Sequence, residues 1–76
     1  MKAIQIKYLS ATDTKGARLK AWTDAGSIIE PLDYSVNIYT QVLYLAERYT
    51  NKYDWDCSGF GVGTLPNGDY VATLRP

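Results

Sequence analysis

The sequence predicts an α+β protein in which one helix packs on one face of a mostly antiparallel sheet, in the order β-β-β-α-β-β. Residues 37–53 have the apolar spacing of an amphipathic helix, and segments before and after them alternate apolar and polar residues as half-buried strands do. The 76 residues match the length of one domain, so residues 1–76 are taken as a single domain.

The predicted helix begins after Asn37, whose side chain can accept a free amide of the first turn as an N-cap. At about 100° per residue, one arc of the helix carries a wide apolar stripe. Its members are Ile38, Val42, Leu45, Ala46, Tyr49 and Tyr53. Tyr44 points away from this stripe. It is either a solvent-exposed ring stacked on Arg48 one turn later, or a contact for a partner, because exposed tyrosines are common at interface hot spots.

Three strands are predicted before the helix, at residues 2–9, 17–22 and 27–30, the last ended by Pro31, which lacks an amide donor. The first two form an antiparallel hairpin closed by the polar loop at residues 10–16. The side chains predicted to face inward are Ile4, Ile6, Tyr8, Ala17, Leu19 and Ala21. Those predicted on the uncovered side of the sheet include Lys7, Arg18, Lys20 and Trp22.

A second hairpin is predicted after the helix, from strands at residues 59–65 and 69–75. Between them lies Pro66-Asn67-Gly68, and its Asn-Gly pair is a strong hairpin signal, because both residues tolerate positive φ. The glycine-rich run at residues 59–63 lacks the following helix and the Lys-Ser/Thr pair of a phosphate loop. We interpret these glycines as strand positions that let helix tyrosines approach closely or allow a bulge.

The composition argues against catalysis. The chain has no histidine, and its one cysteine, Cys57, excludes an internal disulfide and has no nearby base. Asp54 and Asp56 are interpreted as solvated loop residues rather than as paired carboxylates. No catalytic residue, metal ligand or cofactor is therefore predicted, and the protein is not expected to be an enzyme. It contains no apolar run of membrane-spanning length and no signal-peptide pattern, which predicts a cytoplasmic protein.

The charge is unevenly distributed although the net charge is zero. Residues 1–20 carry a net charge of +4 and residues 21–76 a net charge of −4. Such a split can mark a basic contact surface, although a solvated hairpin face has the same pattern. Hydroxyls and cations on the first loop can bind phosphates, and Trp22 beside them could stack on a base. The predicted partner-binding residues are Lys7, Thr12, Thr14, Lys15, Arg18, Lys20, Trp22 and Tyr44.

Nearly the whole chain resembles a family of small proteins without an assigned activity, encoded by bacteria, plasmids and phages. The resemblance is carried by residues 2–9, 11–21, 33–37 and 65–71, which match a KY-x-PTNT-RGAR-x-KA start, a YDYALN segment before a helix and an NGDYVF-like end. The chain departs from this pattern where Asp13 replaces Asn, Lys15 replaces Arg, and Asp54 replaces the Gly before Trp55. The opening is also similar to that of small type I-F anti-CRISPR proteins.

These observations favour a small non-enzymatic binding protein. Together with the resemblance, they suggest an inhibitor of a host defence complex encoded by a mobile element. Its partner would then be a protein, with no membrane involved. The alternative is a nucleic-acid-binding module that uses the basic hairpin face. A homodimer stays open, because a sheet this small leaves edges and an apolar face to cover.

Overall fold

The computed structural model describes residues 3–75 and confirms the α+β class with the order β-β-β-α-β-β. The elements are β1 (Ala3–Leu9), β2 (Arg18–Thr23), β3 (Gly26–Pro31), α1 (Ile38–Lys52), β4 (Gly59–Thr64) and β5 (Tyr70–Arg75). Lys2, which the sequence assigns to the first strand, lies outside the described residues. Within residues 3–75, no helix is both long and apolar enough to cross a membrane.

The five strands form one antiparallel sheet in the order β3-β2-β1-β5-β4. The central strand, β1, pairs with β2 on one side and with β5 on the other, so the first and last strands of the chain are neighbours. The hairpins predicted on either side of the helix are thereby joined into one sheet. β3 and β4 are its two edges.

The helix covers one face of this sheet and closes the core against it. The core side chains are Ile4, Ile6, Leu19, Ala21, Val42, Leu45, Ala46, Tyr49, Ala72 and Leu74. The strand alternation and the helical stripe read from the sequence are therefore confirmed. Tyr8 is the exception in β1, because 49% of it stays exposed although Ile4 and Ile6 are fully buried.

The predicted N-cap of α1 is confirmed, since Asn37 Oδ1 accepts a hydrogen bond from the Tyr39 N–H at 2.9 Å. At the other end, the Trp55 N–H donates to the Thr50 carbonyl at 2.9 Å, and Asp54 lies in the left-handed region with φ 57°. This is a Schellman C-cap, in which a left-handed residue reverses the chain and satisfies free carbonyls of the last turn.

A buried tyrosine ties the helix to the turn between β2 and β3. Tyr49 is fully buried, and its hydroxyl donates to the Gly26 carbonyl at 2.7 Å and lies 2.7 Å from Thr23 Oγ1. Gly26 has φ 146°, and a Cβ there would overlap the Tyr53 hydroxyl. A helix tyrosine does approach a glycine closely, as the sequence suggested, but at Gly26 rather than in β4.

The glycines of β4 lie on the face of the sheet that is turned away from the helix. Gly59, Gly61 and Gly63 alternate with Phe60 and Val62, which pack against the core. Successive strand residues point to opposite faces, so the three glycines lie on the uncovered face. The prediction that they admit helix tyrosines is therefore wrong.

The β4–β5 hairpin and its connection at Pro66-Asn67-Gly68 are confirmed. The Gly68 N–H donates to the Leu65 carbonyl at 2.9 Å, and the Leu65 N–H donates to the Asp69 carbonyl at 2.7 Å. The connection is thus a three-residue loop with a glycine bulge, as Pro66 at its first position favours. Of the two residues that tolerate positive φ, Gly68 adopts it, with φ 91°, and Asn67 does not.

Candidate interaction surface

Four of the predicted contact residues lie together on the face of the sheet that the helix leaves uncovered, which we term the open face. Lys7 pairs across the β1–β2 ladder with Lys20, and Arg18 and Trp22 flank Lys20 on β2. Their alternation with the buried residues Leu19 and Ala21 turns all four side chains away from the core. Each of the four is half-buried rather than covered.

Trp22 is the centre of this group. The Lys7 Nζ lies 6.0 Å and the Lys20 Nζ 5.7 Å from the centroid of its ring. Two like charges opposite each other on neighbouring strands repel, and the negative face of the indole partly offsets that repulsion. Both ammonium groups therefore lie within 6.0 Å of the centroid of one indole ring on the open face.

Within the part of the chain that the structure describes, no carboxylate forms an ion pair with Lys7, Arg18 or Lys20. Within residues 3–75 the ion pair found is Arg48–Glu30, which lies on the helix side of the sheet. Lys7, Arg18 and Lys20 are therefore free of carboxylate partners in this part of the chain. In addition, the Arg18 Nε is buried without a hydrogen-bond acceptor, and such an unsatisfied donor carries a desolvation cost.

Arg75 also belongs to the open face and is missing from the residues predicted from the sequence. It is exposed at the end of β5 and pairs with Gly59 of β4. The alternation of Val71, Thr73 and Arg75 was readable as a strand face. This face of β5 lies on the same side of the sheet as Lys7 because β5 pairs with β1. The local sequence pattern does not reveal that pairing.

A shallow cavity of about 390 Å³ opens on the same face beside Trp22. Its lining residues are Ala3, Gln5, Trp22, Thr23, Asp24, Leu65 and Val71. The Gln5 side chain is fixed there by donating to Asp69 Oδ2 at 2.9 Å. The cavity therefore combines the Trp22 ring and aliphatic side chains with the polar residues Gln5, Thr23 and Asp24.

The β1–β2 loop carries the predicted contacts Thr12, Thr14 and Lys15, and all three are exposed. The loop has its own internal order, because Thr12 Oγ1 accepts from the Lys15 N–H at 3.1 Å and the Thr12 N–H donates to the Lys15 carbonyl at 2.7 Å. It leaves β1 beside Arg18, whose strand partner is Leu9. The loop and the cavity thus lie at opposite ends of the open face.

Tyr44 is not part of this surface. It is 56% exposed on the outward side of α1, where it borders a pocket of about 390 Å³ together with Glu30 and Arg48. The hydrogen bond from Arg48 to Glu30 and the attraction between the two charges raise the pKa of the guanidinium. The sheet separates Tyr44 from Trp22, so one flat partner surface cannot cover both.

The remaining chemical groups do not converge. Within the described chain, no three His, Cys, Asp or Glu side chains are grouped so that they could hold a metal ion. Asp54 and Asp56 are exposed, while Cys57 is half-buried against the core rather than fully buried.

No family model, curated protein or solved structure matches the chain. The site is therefore interpreted from its own geometry.

Proposed function

We propose that the protein is a small non-enzymatic binding protein whose open face binds an acidic surface of a protein partner. The observation that carries the proposal is the grouping of Lys7, Arg18 and Lys20 around Trp22, with no carboxylate partner in residues 3–75. Complementary charge speeds the encounter of two proteins and selects between partners.

The composition of the open face supports a protein partner. Trp and Arg are enriched in interface hot spots, and both lie here on strands, whose backbone is already ordered before binding. The cavity beside Trp22 can receive an apolar side chain.

The most specific form of the proposal is that the partner belongs to a host defence complex and that the protein is its inhibitor, encoded by a mobile element. The support for this form is the sequence resemblance to phage and plasmid proteins and to small type I-F anti-CRISPR proteins. The physical proposal, an acidic protein partner on the open face, does not depend on it.

The test compares three purified forms of the protein as baits for affinity capture. They are the native chain, the triple variant Arg18→Ala, Lys20→Ala, Trp22→Ala, and a control with the exposed helix residues Glu47 and Asn51 changed to Ala. We expect the native chain and the control to retain the same protein, and the triple variant to lose it while circular dichroism shows an intact fold.

Each captured protein is then purified, and its binding to the three forms is measured by calorimetry. A loss of at least about tenfold in affinity, confined to the triple variant, is expected if the open face is the contact. Equal affinity of a correctly folded triple variant would overturn the proposal.

Direct binding to nucleic acid is the second candidate, because cations beside an aromatic ring also form the contact surface of many single-strand-binding proteins. The zero net charge and the pI of about 6.1 argue against it. Fluorescence anisotropy with random DNA and RNA oligonucleotides at about 50 and 200 mM salt measures whether the protein binds nucleic acid and how salt affects the affinity. Phosphate-driven binding must weaken sharply between these concentrations, and no binding at the lower one removes this candidate.

A further inference from the structure

The two edges of the sheet are protected to different degrees. β3 ends in Pro31, which cannot donate to an added strand, and its Glu30 is held in an ion pair with Arg48 of the helix. β4 has neither a proline nor a charged residue between Gly59 and Thr64. Charges and prolines are the usual devices that keep edge strands from pairing, so β4 is the edge open to another strand.

The side of β4 on the open face presents no side chains that would obstruct a neighbouring strand. Its three positions there are Gly59, Gly61 and Gly63. A Cβ placed on Gly59 would meet nothing within 4 Å, and one on Gly63 would meet only Val71, at 3.9 Å. The internal packing does not require glycine at these two positions. The close approach of another backbone is a second reason for which glycine occurs in strands, and it applies here.

On the opposite side of β4, the helix exposes apolar surface. Tyr39 contacts Tyr70 of β5 with 5.7 Å between the ring centroids, and Glu47 borders a groove that reaches Phe60 of β4. Leu43 lies midway between Tyr39 and Glu47 at steps of four residues, so it belongs to the same flank of the helix. Tyr39 is 50% and Leu43 38% exposed, although burial of apolar surface is favourable.

Charge distinguishes the ways in which two copies could meet. Opposing two open faces would bring Lys7, Arg18 and Lys20 of one copy against the same cations of the other. Pairing of two β4 strands brings no charged residue of either strand to the seam. In the antiparallel arrangement, the end of β4 that follows Asp56 meets the uncharged end around Thr64 and Leu65 of the other copy, so like charges do not face each other.

We propose that β4 is a homodimer interface, in which the β4 strands of two copies pair antiparallel about a two-fold axis perpendicular to the sheet. The interface is isologous, and it makes one sheet of ten strands from two sheets of five. The Leu43 flanks of the two helices lie on the same side of the joint sheet. Both open faces lie together on its other side, so one dimer presents two copies of the cationic surface.

The first test measures mass by sedimentation equilibrium at protein concentrations from about 1 μM to 1 mM, the range of weak to moderate affinities. We expect the mass to rise from that of the 8.5 kDa chain toward twice this value. Hydrogen exchange at the two extreme concentrations should show slower exchange in β4 at the high one and no change in β3. A monomer at every concentration, or protection gained in β3 instead of β4, would overturn the proposal.

Two adjacent exposed helix residues provide a matched pair of variants. Leu43→Lys places a charge on the flank over β4, whereas Tyr44→Lys places the same charge on the flank over β3. We expect Leu43→Lys to weaken dimerisation at least about tenfold, because a charge at the interface must be desolvated, and Tyr44→Lys to leave it unchanged. Equal effects of the two variants, both folded by circular dichroism, would contradict the β4 interface.

The open-face triple variant separates this inference from the proposed function. Arg18, Lys20 and Trp22 lie on β2, three strands away from β4 in the sheet order. The triple variant should therefore dimerise like the native chain even where it has lost its partner. If dimerisation is lost together with partner binding, the self-association runs through the open face and the β4 interface is wrong.

Discussion

The two faces of the sheet are made by the same strands and differ in almost every physical respect. On the helix-covered face of β1, Ile4 and Ile6 are completely buried. On the open face of the same strand, Gln5 and Lys7 are half-buried and polar. A shift of one residue in the chain therefore moves a side chain from the core to the proposed contact surface.

This difference shows how a chain of 76 residues can carry both a core and a face that is free for the proposed contact. Small domains bury a limited share of their surface and have little stability to lose. Confining the core to one face leaves Lys7, Lys20 and Trp22 available for binding at little cost to the fold. Substitutions on the two faces should accordingly have different effects, on stability in one case and on binding in the other.

The largest effect is expected from the neighbouring residues Ile6 and Lys7. Ile6→Ala should lower the free energy of unfolding by about 2–5 kcal/mol, because it removes buried methyl groups and leaves a cavity. Lys7→Ala should change it by no more than about 0.5 kcal/mol, as is usual for surface positions. Urea unfolding of both variants measures the two values, and similar losses would show that the open face also supports the fold.

Two tyrosines of α1 sharpen the comparison between buried and exposed positions. Tyr49→Phe removes the hydroxyl that bonds the partly buried Gly26 carbonyl and should cost about 1–3 kcal/mol, because this acceptor loses its donor. Tyr44→Phe removes an exposed hydroxyl and should change stability very little. Thermal unfolding of the pair is the measurement. An unchanged melting temperature for Tyr49→Phe would mean that the helix is not tied to the β2–β3 turn by this bond.

A substitution at the C-cap of the helix should change the free energy of unfolding by less, and it should stabilise the protein rather than destabilise it. Asp54→Gly is expected to stabilise the protein by about 0.5–1 kcal/mol, because glycine adopts the left-handed conformation without the cost that a Cβ imposes. Asp56→Gly is the matched control. Asp56 is exposed in the same loop and does not have positive φ, so this change should not stabilise. Chemical denaturation of the two variants would contradict the interpretation if both were stabilised alike.

The smallest effect concerns the segment between β3 and α1. The Ser35 hydroxyl and backbone N–H both donate to Asp33 Oδ1, and these bonds hold the pKa of the carboxyl below its ordinary value of 3.8. The stability that Asp33 contributes is therefore fully present above pH 3.8 and is lost as the pH falls through the lowered pKa.

Asp33→Asn removes this titration and is the variant that measures it. The difference in unfolding free energy between the native chain and Asp33→Asn should shrink as the pH is lowered from about 5 to 2. A difference that is constant across this range would show that the bonds to Ser35 do not favour the ionised carboxyl.

Much of the fold was predictable because the relevant signals are local. The alternation in residues 3–9 and 17–22, with Tyr8 as the exception, and the stripe from Ile38 to Tyr53 separate the buried side chains from the exposed ones. The interpretation that failed depends on distant neighbours. The β4 glycines were expected to admit helix tyrosines, but the glycine that Tyr53 approaches is Gly26 of β3.

The residues of the candidate surface were likewise predictable only where the signal is local. Lys7, Arg18, Lys20 and Trp22 were predicted to share the uncovered face because the two strands that carry them form one hairpin. Arg75 was missed, since its place depends on the pairing of β5 with β1, which are separated by most of the chain. Tyr44 was a separate candidate because helical periodicity turns it away from the apolar stripe. It is exposed as expected, but the sheet lies between it and the cations.

The sequence by itself determined which segments are strands and helix, which side of each faces the core, and that cations would be concentrated on the first hairpin. Side-chain periods of about 2 and 3.6 residues are properties of the local backbone, so they can be read without knowing the neighbours. The tertiary structure decided the strand order, the presence of Arg75 on the open face, and the contrast between a protected β3 edge and an unprotected β4 edge. These features arise from contacts between residues far apart in the chain, and such contacts leave no periodic trace in the sequence.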